Sequence, residues 1–176
     1  MGRSRFIALI VLAVVAFSAM PAGAVTGAVD DPDDVEGKLD LARLYWRKDT
    51  DTSSLLIVIK TIESWKKAVL GGDVNRLVAL IDTDGDGATD FRARIKRAGN
   101  NLAAFITGAD SAFEPVPAHK TDGWTLRFTI PGSSPPNPDG PPPHLRLVSR
   151  FVESVECDTA SGHGPCIDHA PDETGS

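Results

Sequence analysis

Residues 82–90 read DTDGDGATD, four aspartates alternating with small or turn-forming residues, with two glycines at the bend. At neutral pH each carboxylate is ionised, and like charges a few ångströms apart repel unless a cation sits among them. Numbered from Asp82, carboxylates fall at positions 1, 3, 5 and 9, glycine at 6, and Ala88 offers a backbone carbonyl at 7. That is the front half of an EF-hand-type calcium loop. Position 12 is Ala93, so the bidentate glutamate is missing, and the flanks NRLVALI (75–81) and FRARIKR (91–97) have strand periodicity where an EF-hand needs helices. The EF-hand is therefore rejected, and a metal loop between two antiparallel strands is expected. Asp82, Asp84, Asp86 and Asp90 supply hard oxygens, Ala88 C=O a fifth and water the rest, a set that suits Ca²⁺ at about 2.3–2.6 Å. The loop is too open for magnesium, and zinc and copper lack their preferred nitrogen or sulfur. The plainer alternative is a solvated turn, but a hairpin needs one Asp-Gly, not two plus two further aspartates. The expected role of the ion is to staple a long loop.

A second cluster of potential ligands lies near the end. Cys157 and Cys166 are the only cysteines, and in an exported chain an even pair this close reads as one disulfide. Its loop of about ten residues is worth roughly 2.5 kcal/mol on the chain-entropy estimate. Cys157, His163, Cys166 and His169 together form an alternative zinc set, although their spacing lacks the paired knuckle of zinc modules.

Catalytic signatures are scarce: four histidines are scattered, and no GxSxG elbow or HExxH occurs. The chain reads as a binding protein, not an enzyme. Sugar rings stack on flat apolar faces with polar rims, so exposed aromatics would mark a glycan site. Trp124 alternates with Leu126 and Phe128 and is expected in the core, and Trp65 is expected to plug one end of the fold. Tyr45 and Trp46 are adjacent on a strand and must point to opposite faces, which makes them the candidate ligand-binding pair. Arg92, Arg94 and Lys96 line the wet side of one strand and could meet an acidic polymer.

The elements that must position these residues are strands. LDLARLYW (39–46), SLLIVIKT (54–61), NRLVALI (75–81), FRARIKR (91–97), LAAFIT (102–107), WTLRFTI (124–130) and HLRLVSRFVESV (144–155) carry period-2 or continuous apolar patterns, with a weaker run over 116–119. Joined by Gly, Asp, Asn and Pro turns, they predict an all-β fold, an antiparallel β-sandwich of about 7–8 strands, with one short helical turn in IESWKKAVL (62–70). SSPPNPDGPPP (133–143) reads as a stiff exposed connection.

Targeting and charge bound the rest. Arg3 and Arg5, the apolar run FIALIVLAVVAF, Pro21 and Ala22-Gly23-Ala24 make residues 1–24 an expected signal peptide. The twelve-residue apolar run is short for a membrane span, which needs about 20. The mature chain is expected to be secreted and monomeric, without a membrane span. Its organisation would be an acidic flexible tail (25–34), one domain (35–167) and a flexible tail (168–176). Removing the leader shifts the formal charge from −6 to −8, which argues against nucleic acid and anionic bilayers as partners.

The succession KLDL, SLLIVIKT, ESW and VALIDTDGDGATDFRARI resembles exported bacterial β-sandwich domains of the DOMON and family 9 carbohydrate-binding-module group, over roughly residues 36–155. That resemblance implies a jelly-roll-like sandwich and glycan or small-ligand binding, with no haem-ligand pattern to carry over. The expected function is thus a calcium-binding module for a glycan or cell-envelope component. The alternative is a structural or protein-interaction domain in which calcium only stabilises the fold. Thiol titration of the unfolded, unreduced protein separates disulfide from zinc: none is expected, and two reactive thiols would exclude the bridge.

Overall fold

The computed structural model describes residues 24–33, 35, 37–108, 112–132, 143–152 and 165–171, so the expected signal segment lies outside it except for Ala24. Ten strands form: β1 (Ala24–Asp30), β2 (Leu41–Asp49), β3 (Leu55–Thr61), β4 (Arg76–Asp82), β5 (Phe91–Ala98), β6 (Asn101–Gly108), β7 (Val116–Lys120), β8 (Thr125–Ile130), β9 (His144–Phe151) and β10 (Cys166–Ala170). A single 3₁₀ turn, Lys67–Leu70, sits between β3 and β4. No described helix is long and apolar enough to cross a membrane.

The strands make one antiparallel sheet in the order β1-β2-β3-β8-β7-β6-β5-β4-β9-β10. From β3 the chain crosses to β4, meanders back through β5, β6 and β7 to β8 beside β3, then crosses again to β9 beside β4. Register fixes the two ends. Lys60 lies opposite Thr125 where β3 stops, and Asp82 opposite His144 where β4 enters the aspartate loop. We call these the plug end and the loop end.

Alternation decides the inside. Ile57 faces Phe128, Ile59 faces Leu126, Ala79 faces Leu147 and Leu77 faces Ile95, all nearly inaccessible, and they belong to one continuous apolar cluster. Burying each large aliphatic side chain stabilises the fold by about 1.5–3 kcal/mol. One sheet keeps such a cluster dry only by curling, and β10 comes back against β2. Across that seam the Leu41 N–H donates to the Asp168 carboxylate at 2.6 Å, although the residues are 127 positions apart. Asp31 and Asp40 are buried at the same end.

The plug end is filled as expected of Trp65, which is 4 % exposed. Its backbone N–H donates to Gly123 O at 3.0 Å, and the Lys120 ammonium stands 4.9 Å over its ring while donating to the carbonyls of Asp122 and Gly123. Burial holds the Lys120 ammonium below its ordinary pKa. Gly37 has φ +136°, and a Cβ there would stand 1.7 Å from the Phe151 ring, so only glycine fits.

Four expectations are corrected. The two sheets of a sandwich are one barrel-like sheet, because strand alternation is the same in both and only pairing order separates them. The segments expected to be flexible tails each contribute to a strand. β1 pairs with β2 along its whole length within 25–34, and β10 pairs with β9 up to Ala170. Small residues and exposed alternate positions hid β1. Trp124 is 46 % exposed, because Trp65 already occupies that end and the Asp122 carboxylate, accepting the Trp124 and Thr125 N–H groups at 2.9 and 2.6 Å, turns the chain just before β8.

Replacing Asp168 by Ala leaves the buried Leu41 N–H without its acceptor. A loss of about 1–3 kcal/mol is expected, read as a lower urea midpoint with an unchanged m-value.

Candidate metal loop and adjoining cavity

β4 and β5 pair from Leu77–Ile95 to Ile81–Phe91, and the turn between them must absorb the four aspartates. Gly85 and Gly87 adopt φ +79° and +87°, left-handed values that curl the loop inward. Asp82 organises that curl: one carboxylate oxygen accepts the Gly85 N–H at 2.7 Å and the other the Gly87 N–H at 2.9 Å. Asp84 accepts from Asp86 N–H at 3.2 Å, and Asp86 from Ala88 N–H at 2.7 Å. In consequence one oxygen from each of Asp82, Asp84 and Asp86 lies within 4.8 Å of the others. Oxygens bound to one ion at 2.3–2.6 Å are at most about 5 Å apart, so the trio fits a hard divalent cation.

The fourth aspartate has a different task. Asp90 Oδ2 accepts both the Thr83 N–H at 2.7 Å and the Thr83 hydroxyl at 2.5 Å, while the Asp90 N–H donates to Ile81 O at 3.0 Å. It ties the neck of the loop and stands outside the carboxylate cluster. Ala88, the expected carbonyl ligand, lies two residues beyond Asp86 and lines a cavity.

That cavity, of about 610 Å³, shares Asp82, Gly87, Ala88 and Thr89 with the loop. Opposite them stands Trp46, and Leu80, His144 and Arg146 form another wall. Trp46 is half-buried, its indole lying over Gly27 so closely that a Cβ there would meet the ring at 2.0 Å. Its Nε1 is buried without an acceptor among the described residues. Tyr45 points the other way, opposite Val58, and is not among the lining residues. The sequence pair is therefore split: Trp46 belongs to the cavity and Tyr45 does not.

His144 and Arg146 were not anticipated. Their alternation in HLRL places them on one face, but only the β4–β9 register brings them opposite Asp82 and Leu80. Lys48 was also missed: it faces the interior at 2 % exposure, two residues beyond Trp46. Cys166 is half-buried at the start of β10 and no described cysteine is free, while Cys157 and His163 lie outside the described residues.

Comparison of the chain with protein-family models, curated proteins and solved structures finds no match.

Burial alone would push the Asp82 carboxyl upward, but the N–H bonds from Gly85 and Gly87 and the nearby His144 charge outweigh it, leaving its pKa below the ordinary value. Stability from this group is then fully present above the unfolded carboxyl pKa of about 3.9, and lost as pH falls through the folded value. In the presence of EDTA, Asp82→Asn should flatten the fall in melting temperature below about pH 4. An acid limb unchanged by the substitution would assign that loss to other carboxylates.

Proposed function

We propose that this chain is an exported, calcium-stapled binding module whose glycan ligand enters the cavity beside the aspartate loop. The observation that carries the reading is the sharing of residues: Asp82, Gly87, Ala88 and Thr89 belong to the loop and line the cavity that Trp46 faces. An indole offers the flat apolar surface on which a sugar ring stacks, and the polar rim orients its hydroxyls. Calcium would sit among Asp82, Asp84 and Asp86, with water completing its six to eight oxygens. Its electrostatic role is to cancel the repulsion of three ionised groups, which fixes the loop and with it one wall of the cavity. Export, a Cys157–Cys166 bridge and the jelly-roll-like role implied by the DOMON and family 9 likeness belong to the same reading. A protein-interaction role draws support from the plug end, where Trp124 and Ile62 are both exposed.

Two experiments test this. Calcium should raise the melting temperature of the wild type and leave that of Asp84→Ala unmoved; equal melts with and without calcium for the wild type would remove the staple. On a glycan array, retention should fall with EGTA, and Trp46→Ala should weaken it about tenfold, the equivalent of roughly 1.4 kcal/mol. Gly27→Val, which displaces the indole, should imitate Trp46→Ala. A blank array with and without EGTA would eliminate the glycan reading.

A further inference from the structure

Charge on this molecule is segregated. The chain carries a net −6, with acids concentrated in connections such as DDPDDVE and the aspartate loop, yet the outer face of β5, β4 and β9 is cationic. β5 points Arg92, Arg94 and Lys96 outward, β4 opens with Arg76, and β9 presents Arg146 and Arg150 on the same side. Register sets these in rows. Arg92, Leu80 and Arg146 stand abreast, then Arg94, Val78 and Val148, then Arg76 beside Arg150. Rows lie about 6.8 Å apart along the strands, and neighbours within a row about 4.8 Å apart. No acid occupies an outward position of these strands before Asp82. Asp73, on the connection before β4, pairs with Arg94 at 2.9 Å and Lys96 at 3.8 Å. The screening length in physiological salt is about 8 Å, so a ligand on this panel feels the panel and, at its loop end, the calcium-loaded aspartate loop, rather than the net charge.

The panel runs into the cavity, because Leu80 and Arg146 belong to both. Two cationic or donor side chains, the Arg146 guanidinium and His144, stand in its wall. Both Asp82 oxygens already accept loop N–H groups. A carboxylated sugar, unlike a neutral one, brings the negative charge that guanidinium groups recognise with paired N–H donors.

We infer that the ligand is an acidic polysaccharide, laid along the outer face of β5, β4 and β9 with its carboxylates on the arginines and one ring in the cavity against Trp46. This deepens the glycan reading and rests on it. A single-stranded nucleic acid would ask for several stacking aromatics between the cations, and here those positions hold Val78, Leu80 and Val148.

The test is affinity electrophoresis of the full calcium-loaded protein in gels containing hyaluronan or its uncharged methyl ester, with oligo-dT in a parallel shift assay. Hyaluronan should retard the wild type, the ester should not, and added salt should abolish retardation. Arg92→Ser and Arg146→Ser combined should weaken it at least tenfold, and Lys60→Ser, which removes one charge from β3 as Arg92→Ser alone does from β5, should leave it intact. Melting curves verify folding, and the exposed Arg92→Ser alone, with about a threefold loss, serves if the double variant does not fold. Equal retardation by the ester, equal loss in Lys60→Ser, or oligo-dT bound as tightly as hyaluronan would each overturn the inference. Absent retardation beside a positive glycan array overturns it while sparing the glycan reading. A blank array removes both.

Discussion

A sheet that is apolar on one face must hide that face, and in this chain only curvature hides it. The ten described strands make one layer with no second sheet among the described residues to pack against, so the inward rows of β3, β8, β4 and β9 cover one another across a shared interior. The covering is complete only where the sheet's ends meet. The contact between Leu41 and Asp168 is therefore the constraint on which the rest depends: it places a carboxylate, 2 % exposed, where the β2 backbone would otherwise be left without a partner. A charged acceptor in an apolar interior makes a stronger bond than a neutral one, and losing it leaves a costlier gap.

The cavity follows from the same geometry. β2 and β10 meet at the plug end, and no ladder joins them at the loop end among the described residues. The chain lines that unjoined end with an indole laid over a glycine on one side and the aspartate loop on the other. Because the loop begins at the last residue of β4, its curl is positioned by a strand that is bonded on both sides, to β5 and to β9. A rigid strand end presenting a charged loop is a sound base for a site, since the side chains that matter inherit the precision of the sheet.

Legibility in the sequence tracked the strength of local signals. All eight anticipated strands exist because alternation such as Phe91-Arg92-Ala93-Arg94-Ile95 is written in consecutive residues. The aspartate trio was readable for the same reason, its carboxylates being spaced within one turn. What remained hidden depends on partners far away in sequence. Trp124 obeys the alternation of β8 and is nevertheless outside, since Trp65, from another connection, fills its place. Asp90 has the right residue type at the right spacing, but Thr83 offers it two donors. The strand order, the seam and the approach of His144 and Arg146 to the loop are all products of pairing, and pairing has no local spelling.

The distance along the chain between the two sides of the seam bears on how the molecule assembles. Joining positions 127 apart carries a closure entropy of roughly 4 kcal/mol, far above that of any hairpin in the meander. The five-strand meander β4–β8 can pair from neighbouring contacts alone, whereas β2 must wait for β10, more than a hundred residues further along the chain. Folding of this protein is thus governed by long-range contacts and belongs with slow, high-contact-order β proteins. Until β10 arrives, the apolar lining of β2 stands open to water.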